Sequence, residues 1–162
     1  MGATMAVEII GRGNINVTKT HLDAAFLIKM GLLTKPYEYV FCKAIKQIQN
    51  GKTVPKFMMD AVMGEDNNSV IEMLYQNITS NTIKNACEFV YKYNIPEKIR
   101  NYKGTALFWR GSNERYPRKS AALLKKYLTD LIDIEIENMG HGQYLHEHSD
   151  EYASKLIEYL QN

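Results

Sequence analysis

The sequence predicts an α/β protein with parallel strands, crossover helices and an inserted block of helices. Residues 105–111, TALFWRG, form a continuous apolar run ending in glycine, which is typical of a strand covered on both faces. Residues 132–136, IDIEI, alternate between apolar and polar side chains, which indicates a strand with one solvent-facing side. From Tyr152 onward the apolar residues follow a helical period instead.

Composition narrows the class of protein. A chain of 162 residues fits one domain with a substantial core, and a net charge of +2 is too small to indicate nucleic acid or an anionic membrane as a partner. The longest apolar run covers only residues 24–28, so no membrane span is expected. The first residues lack the charged start, apolar middle and cleavage site of a signal peptide. Cys42 and Cys87 predict free buried thiols, and hence a cytoplasmic protein.

The first two elements are a helix and a strand. Residues 3–10, ATMAVEII, fit a short helix that faces a core with Ala6, Ile9 and Ile10 and stops at nearby glycines. Residues 15–26 are rich in β-branched side chains and predict a strand.

The next segment contains helical patterns and no strand pattern, which suggests an inserted helical subdomain. Its predicted helices cover residues 36–51, 54–64, 69–78 and 81–94, with Ser69 and either Ser80 or Asn81 as N-caps. The first of them places these residues on one face: Tyr37, Phe41, Ala44, Ile45 and Ile48. Four methionines are read as core filling in preference to a substrate-contacting surface: Met58, Met59, Met63 and Met73.

Two further helices complete the alternation. Residues 117–130 predict a helix with Pro117 at its start, and its inward-facing residues are Ala121, Leu124 and Leu128. In the last helix, one face is expected to carry the apolar residues Tyr152, Ala153, Leu156, Ile157 and Leu160.

Candidate catalytic side chains follow two of the predicted strands. Glu114 comes shortly after residues 105–111, and His141 lies between two glycines after residues 132–136. Because the carboxyl ends of parallel strands meet at one edge of a sheet, a carboxylate there can orient a histidine that accepts a proton. Asp23 and Asp133 are alternative acids, although Asp23 precedes the helical block and Asp133 lies within a strand.

A metal site is a weaker reading of the same region. Its potential ligands are His141, His146, His148, Glu147 and Asp150, but their spacing matches no zinc pattern, and we expect neither metal nor cofactor. Glu147, Asp150 and Glu151 fit the start of the last helix, with Ser149 as its N-cap.

The segments ALFWRGSNE and IEIENMGHGQYLHEHSDEYASKLIEYL resemble the last third of an α/β-hydrolase. The family's acid follows a strand in a G-x-x-D turn, which Gly111 to Glu114 match with glutamate in place of aspartate. The family's histidine follows the last strand in a loop such as GHG, which matches His141. The resemblance therefore implies the C-terminal part of an α/β-hydrolase fold, with a core of residues 1–26 and 104–162 and a helical cap of residues 27–103.

The resemblance also extends to the first residues. Met1-Gly2-Ala3 resembles the end of the G-x-S-x-G nucleophile elbow, so the serine would lie one position before Met1, and the Met1 backbone N–H would be an oxyanion donor. It implies a serine-type hydrolase of ester- or amide-like acyl substrates, with the cap shaping an apolar pocket. We expect the chain alone to be inactive, because the nucleophile and the preceding strands lie outside its residues.

The alternative is a catalytically inactive binding or assembly module. Without a preceding strand beside it, the strand predicted over residues 15–26 would expose an edge, and such an edge recruits other chains. This reading predicts a homodimer formed through that edge.

Overall fold

The computed structural model describes residues 1–55 and 77–161. Its strands are β1 (Lys19–Asp23), β2 (Thr105–Gly111) and β3 (Ile132–Ile136). Its helices are α1 (Gly2–Arg12), α2 (Thr34–Gln49), α3 (Ser80–Tyr91), α4 (Arg115–Leu124), α5 (Gln143–Glu147) and α6 (Ser149–Gln161), with 3-10 turns at Gly31–Leu33 and Glu97–Asn101. The predicted helices over 54–64 and most of 69–78, with Ser69 and the four methionines, lie outside the described residues.

The three strands form one parallel sheet in the order β1-β2-β3. Leu22 pairs with Phe108, and Phe108 pairs with Asp133, so β2 is the central strand. Each neighbouring pair is joined by a connection that contains helices, as parallel pairing requires. The predicted α/β class with parallel strands is confirmed.

The central strand is buried on both faces, as its unbroken apolar run predicts. Phe108 is fully buried on one face, while Leu107 and Trp109 are each 3% exposed on the other. Tyr152 and Leu156 of α6 pack against the Leu107–Trp109 face. Burial of large apolar side chains on both faces is the main stabilising contribution at the centre of the sheet.

The first strand is shorter than predicted. Residues 15–18 precede β1, and the chain leaves the strand at Ala24, whose φ is +45°. The register explains the start, because Lys19 pairs with Thr105, where β2 begins. β-branched residues alone did not extend the strand beyond the length of its partner.

The polar side of β3 is less exposed than its alternation predicts. The Asp133 side chain is only 9% exposed, because it accepts hydrogen bonds from Arg110 and Lys125. Ile132 and Ile134 are 43% and 42% exposed. The prediction of one solvent-facing polar side is therefore wrong, since ion pairing buries the acid.

The last helix uses only part of its predicted face. Tyr152 and Leu156 pack against the sheet, but Ala153, Ile157 and Leu160 are exposed. Tyr159 takes their place, and its hydroxyl donates to the carbonyl oxygen of Thr105 at 2.9 Å. Ser149 is the first helical residue and not the predicted N-cap, while Asp150 and Glu151 do lie in the first turn.

The chain divides into two compact units, one of Met1–Ile28 with Asn94–Asn162 and the other of Lys29–Tyr93. In the second unit, α2 and α3 enclose a core of Ile45, Ile83 and Cys87. The N-cap of α3 is Thr79, not Ser80 or Asn81, and its hydroxyl accepts the Thr82 N–H. Within the described ranges, no helix combines the length and apolar character needed to cross a bilayer.

Candidate active site

Glu114 is held by a tight turn at the end of β2. Its backbone N–H donates to the Gly111 carbonyl at 3.2 Å, and its Oε2 accepts the Gly111 N–H at 2.7 Å. The Glu114 side chain is only 6% exposed. These reciprocal hydrogen bonds occupy one carboxylate oxygen and leave Oε1 directed to another partner.

The loop after β3 is joined directly to that turn. The Ser112 hydroxyl accepts the Asn138 N–H at 2.8 Å, and the Asn113 N–H donates to the Met139 carbonyl at 3.1 Å. A Cβ atom on Gly111 would overlap the Met139 carbonyl oxygen, so only glycine fits at the end of β2. This close approach fixes the position of the loop that contains His141 relative to the end of β2.

His141 lies in that loop and contacts Glu114. The His141 Nδ1 atom is 2.7 Å from Glu114 Oε1. Gly142 follows with a φ of +73°, a left-handed conformation that glycine adopts without strain, and it precedes α5. The structure thus brings together the two residues that the sequence singled out as a relay.

The hydrogen bond with Glu114 shifts the pKa of His141. The hydrogen bond to Glu114 raises the pKa of His141 above its ordinary value near 6.5, burial opposes this rise, and the charges of Glu114 and Asp23 add to it. An ionised carboxylate can only accept, so Nδ1 carries the proton in the neutral ring and Nε2 is the proton acceptor. The side chain is 59% exposed, which leaves the ring accessible to a reacting group.

The alternative acids occupy other positions. Asp133 binds Arg110 at 2.9 Å and Lys125 at 2.9 Å, on the polar side of β3. Asp23, the last residue of β1, accepts a hydrogen bond from the Tyr152 hydroxyl at 2.9 Å. Glu114 is therefore the carboxylate bonded to His141 in the structure.

Met1 lies at the start of α1, where its carbonyl accepts the Met5 N–H at 3.1 Å. The role of the Met1 backbone N–H as an oxyanion donor stays a prediction.

A small cavity beside the relay contains residues that the sequence did not single out. Tyr144 and Tyr152 line it together with Asp23, Arg110, Gly111, Glu114, Ile136, Met139, Gly140, Gly142 and Leu145. The helical period placed Tyr152 on a packed face, but nothing in the sequence pointed to its hydrogen bond with Asp23. Over residues 1–55 and 77–161, no group of three or more His, Cys, Asp or Glu side chains is arranged to hold a metal ion.

Replacing Glu114 with glutamine is expected to lower the pKa of His141, because a neutral amide no longer stabilises the imidazolium. The raised pKa means that the pair stabilises the fold fully below the ordinary histidine pKa. That contribution is lost as the pH rises through the raised value. Histidine NMR titration checks the shift, and Glu147→Gln is the matched control because Glu147 bonds Gln143 instead.

The structure is similar to solved structures of one superfamily. A protein assigned to the alpha/beta hydrolase family from Desulfitobacterium hafniense shares 27% identity and a TM-score of 0.75, over 99% of this chain and 65% of its own. MenH from S. aureus shares 14% identity and a TM-score of 0.68, over 98% and 64%. An esterase from Exiguobacterium antarcticum shares 12% identity and a TM-score of 0.65, over 99% and 63%.

No family model matches the sequence, and no curated protein matches it significantly. The chain spans just under two thirds of the length of the solved structures it matches. The parallel sheet of this chain and the solved structures that match nearly all of its residues indicate the same architecture. By its fold, this chain corresponds to part of the α/β-hydrolase fold, and it belongs to the α/β-hydrolase superfamily.

Proposed function

We propose that this protein is a serine-type hydrolase of ester- or amide-like acyl substrates, with His141 as the general base and then the general acid. The observation that carries the proposal is the 2.7 Å contact between His141 Nδ1 and Glu114 Oε1. A buried carboxylate at Nδ1 orients the ring and stabilises the imidazolium that forms during proton transfer. The esterase among the structural neighbours supports the same class of substrate.

The nucleophile in this proposal is a serine immediately before Met1. The 162 residues contain no G-x-S-x-G sequence, whereas Met1-Gly2-Ala3 matches the end of such an elbow. Helix α1 begins at Gly2, as expected for the helix that follows the elbow. The start of an 11-residue helix also places partial positive charge where an oxyanion develops.

The proposed reaction has two acyl-transfer steps. His141 Nε2 takes the serine proton as the hydroxyl oxygen attacks the substrate carbonyl, and the backbone N–H of residue 1 stabilises the oxyanion. The protonated ring then gives its proton to the leaving group as the acyl–leaving-group bond breaks. Water, deprotonated by His141, hydrolyses the acyl-enzyme and returns the serine.

A fluorophosphonate probe tests this mechanism, because it labels only an activated serine. The complete protein is expected to be labelled stoichiometrically and its Glu114→Gln variant much more slowly. Residues 1–162 expressed alone are expected to remain unlabelled. A label mapped to any serine within these residues would place the nucleophile elsewhere and overturn the proposal.

A binding or assembly module is the second candidate, favoured by one observation. β1 pairs with β2 on one side and has no other partner strand among the described residues. An unpaired edge can add a strand from another chain. Light scattering of residues 1–162 tests this candidate, since a stable monomer would contradict a homodimer formed through that edge.

The free thiols support a cytoplasmic location within this proposal. Cys42 and Cys87 are both unpaired cysteines, and Cys87 is buried. Burial raises the pKa of the Cys87 thiol to about 11, so it remains a protonated, unreactive thiol near neutral pH.

A further inference from the structure

We propose that Asp23 is a second carboxylate of the relay, a positioning residue that stabilises the protonated His141 ring alongside Glu114. The inference rests on the proposed function, because it assigns an additional group to the same site. Glu114 acts by direct hydrogen bonding, whereas Asp23 acts through its charge and through the shape of the cavity that it shares with the relay.

The fold brings the two carboxylates to one edge of the sheet. Asp23 ends β1 and pairs in register with Trp109, two residues before the end of β2. Asp23 and Glu114 line one small cavity, whose wall also includes the two glycines that flank His141. A negative charge at this distance favours the protonated ring, in agreement with the raised pKa of His141.

Two hydrogen bonds position Asp23, one made by its side chain and one made by the backbone of the next residue. Its Oδ2 accepts the Tyr152 hydroxyl at 2.9 Å, a contact between residues 129 positions apart. Directly after it, Ala24 adopts a φ of +45° and donates its N–H to the Trp109 carbonyl at 2.8 Å. A left-handed conformation is costly for alanine, so the surrounding contacts must stabilise the turn that fixes Asp23.

The Tyr152 contact remains a hydrogen bond over the pH range of hydrolysis. Burial, together with the neighbouring charge of Asp23, raises the pKa of the Tyr152 phenol well above its ordinary value. The phenol therefore stays protonated and keeps donating. It donates a hydrogen bond to the Asp23 carboxylate and does not transfer its proton.

The other groups around the ring do not cancel this charge. The cavity includes one cationic side chain, Arg110, and its guanidinium binds Asp133 and Glu135 on β3. In the complete protein proposed above, the nitrogen of residue 1 is an uncharged peptide amide and adds no positive charge. The raised pKa of Tyr152 keeps its phenol neutral. When the ring takes the serine proton, Glu114 and Asp23 therefore both favour the positive charge that develops.

The test is Asp23→Asn in the complete protein, because asparagine keeps the shape and can still accept the Tyr152 hydroxyl. We expect the pKa of His141 to fall, measured by histidine NMR titration and assigned by loss of the signal in His141→Gln. The acidic limb of the kcat/KM profile should move to lower pH with it. At the alkaline plateau kcat should fall about threefold to tenfold, since one nearby charge is removed.

Two further variants make the test specific. Tyr152→Phe keeps the charge of Asp23 but frees its side chain, so kcat should fall while the pKa of His141 stays raised. This variant also provides a readout if Asp23→Asn fails to fold. Asp130→Asn is the matched control, because Asp130 lies in an exposed loop where it contacts Thr129, and it should change neither quantity.

The outcomes separate this inference from the proposed function. An unchanged pKa of His141 in Asp23→Asn overturns the inference, and so does a fall in pKa without any change in the pH profile or kcat. Neither result affects His141-dependent labelling by fluorophosphonate, which tests the proposed function. Failure of that labelling, with a lowered pKa in Asp23→Asn, would instead reject the hydrolase mechanism and remove the catalytic role of Asp23 with it.

Discussion

Replacing His141 with alanine is expected to reduce kcat/KM of the complete protein by at least about 10⁴-fold, the usual loss when the base of a catalytic triad is removed. Among the residues that the structure describes, the His141 ring is the group bonded to Glu114 Oε1, and it can carry a proton to and from a substrate. Because the His141 side chain is 59% exposed, its removal should leave the folded state intact. Hydrolysis of p-nitrophenyl esters measures the activity, and thermal unfolding measures the fold.

His146→Ala is the matched control for this experiment. His146 lies in α5, five residues beyond His141 in the same region, whereas the contact with Glu114 Oε1 is made by His141. Its variant should keep normal kcat/KM. If His141→Ala retained activity close to that of His146→Ala, His141 would have no role in the chemistry.

Replacing Gly111 with alanine is expected to destabilise the protein by about 2–3 kcal/mol, within the range for forcing a larger side chain into a packed site. The new Cβ would overlap the Met139 carbonyl oxygen, which is backbone and cannot rotate away. The loop of His141 must shift, which would separate the ring from Glu114. Urea unfolding measures the stability, and ester hydrolysis should fall in parallel.

Gly140→Ala provides a matched comparison from the same loop. The nearest atom to a Cβ at Gly140 is the flexible Gln143 Oε1 at 3.6 Å, an ordinary contact distance. Its variant should remain close to the wild-type stability. Equal stability of the two alanine variants would show that the loop is free to move, contrary to the packing observed at Gly111.

Two strands were predictable to the residue. β2 and β3 span the ranges that the unbroken apolar run and the alternating pattern indicated. Both patterns are local, so the strand bounds follow from nearby residues. The start of β1 was not predictable in this way. It is set by pairing with another strand, because Lys19 lies opposite Thr105, the first residue of β2.

The candidate relay could be predicted in part. Glu114 and His141 follow strand ends, and parallel pairing brings strand ends together. Glu114 was preferred over Asp133 because it follows a strand end and matches the G-x-x-D turn. Local patterns could not show that the Arg110 guanidinium binds Asp133 across the strands and thereby buries it.

By itself, the sequence determined the α/β class, the two later strands and a glutamate and a histidine at their ends. Tertiary structure alone decided which carboxylate meets His141 Nδ1, and that Tyr152 holds Asp23 across 129 positions of chain. The physical reason is the separation along the chain over which each kind of interaction acts. Periodicity and turn chemistry act between near neighbours, whereas hydrogen-bond partners and burial are set by segments that meet only when the sheet has formed.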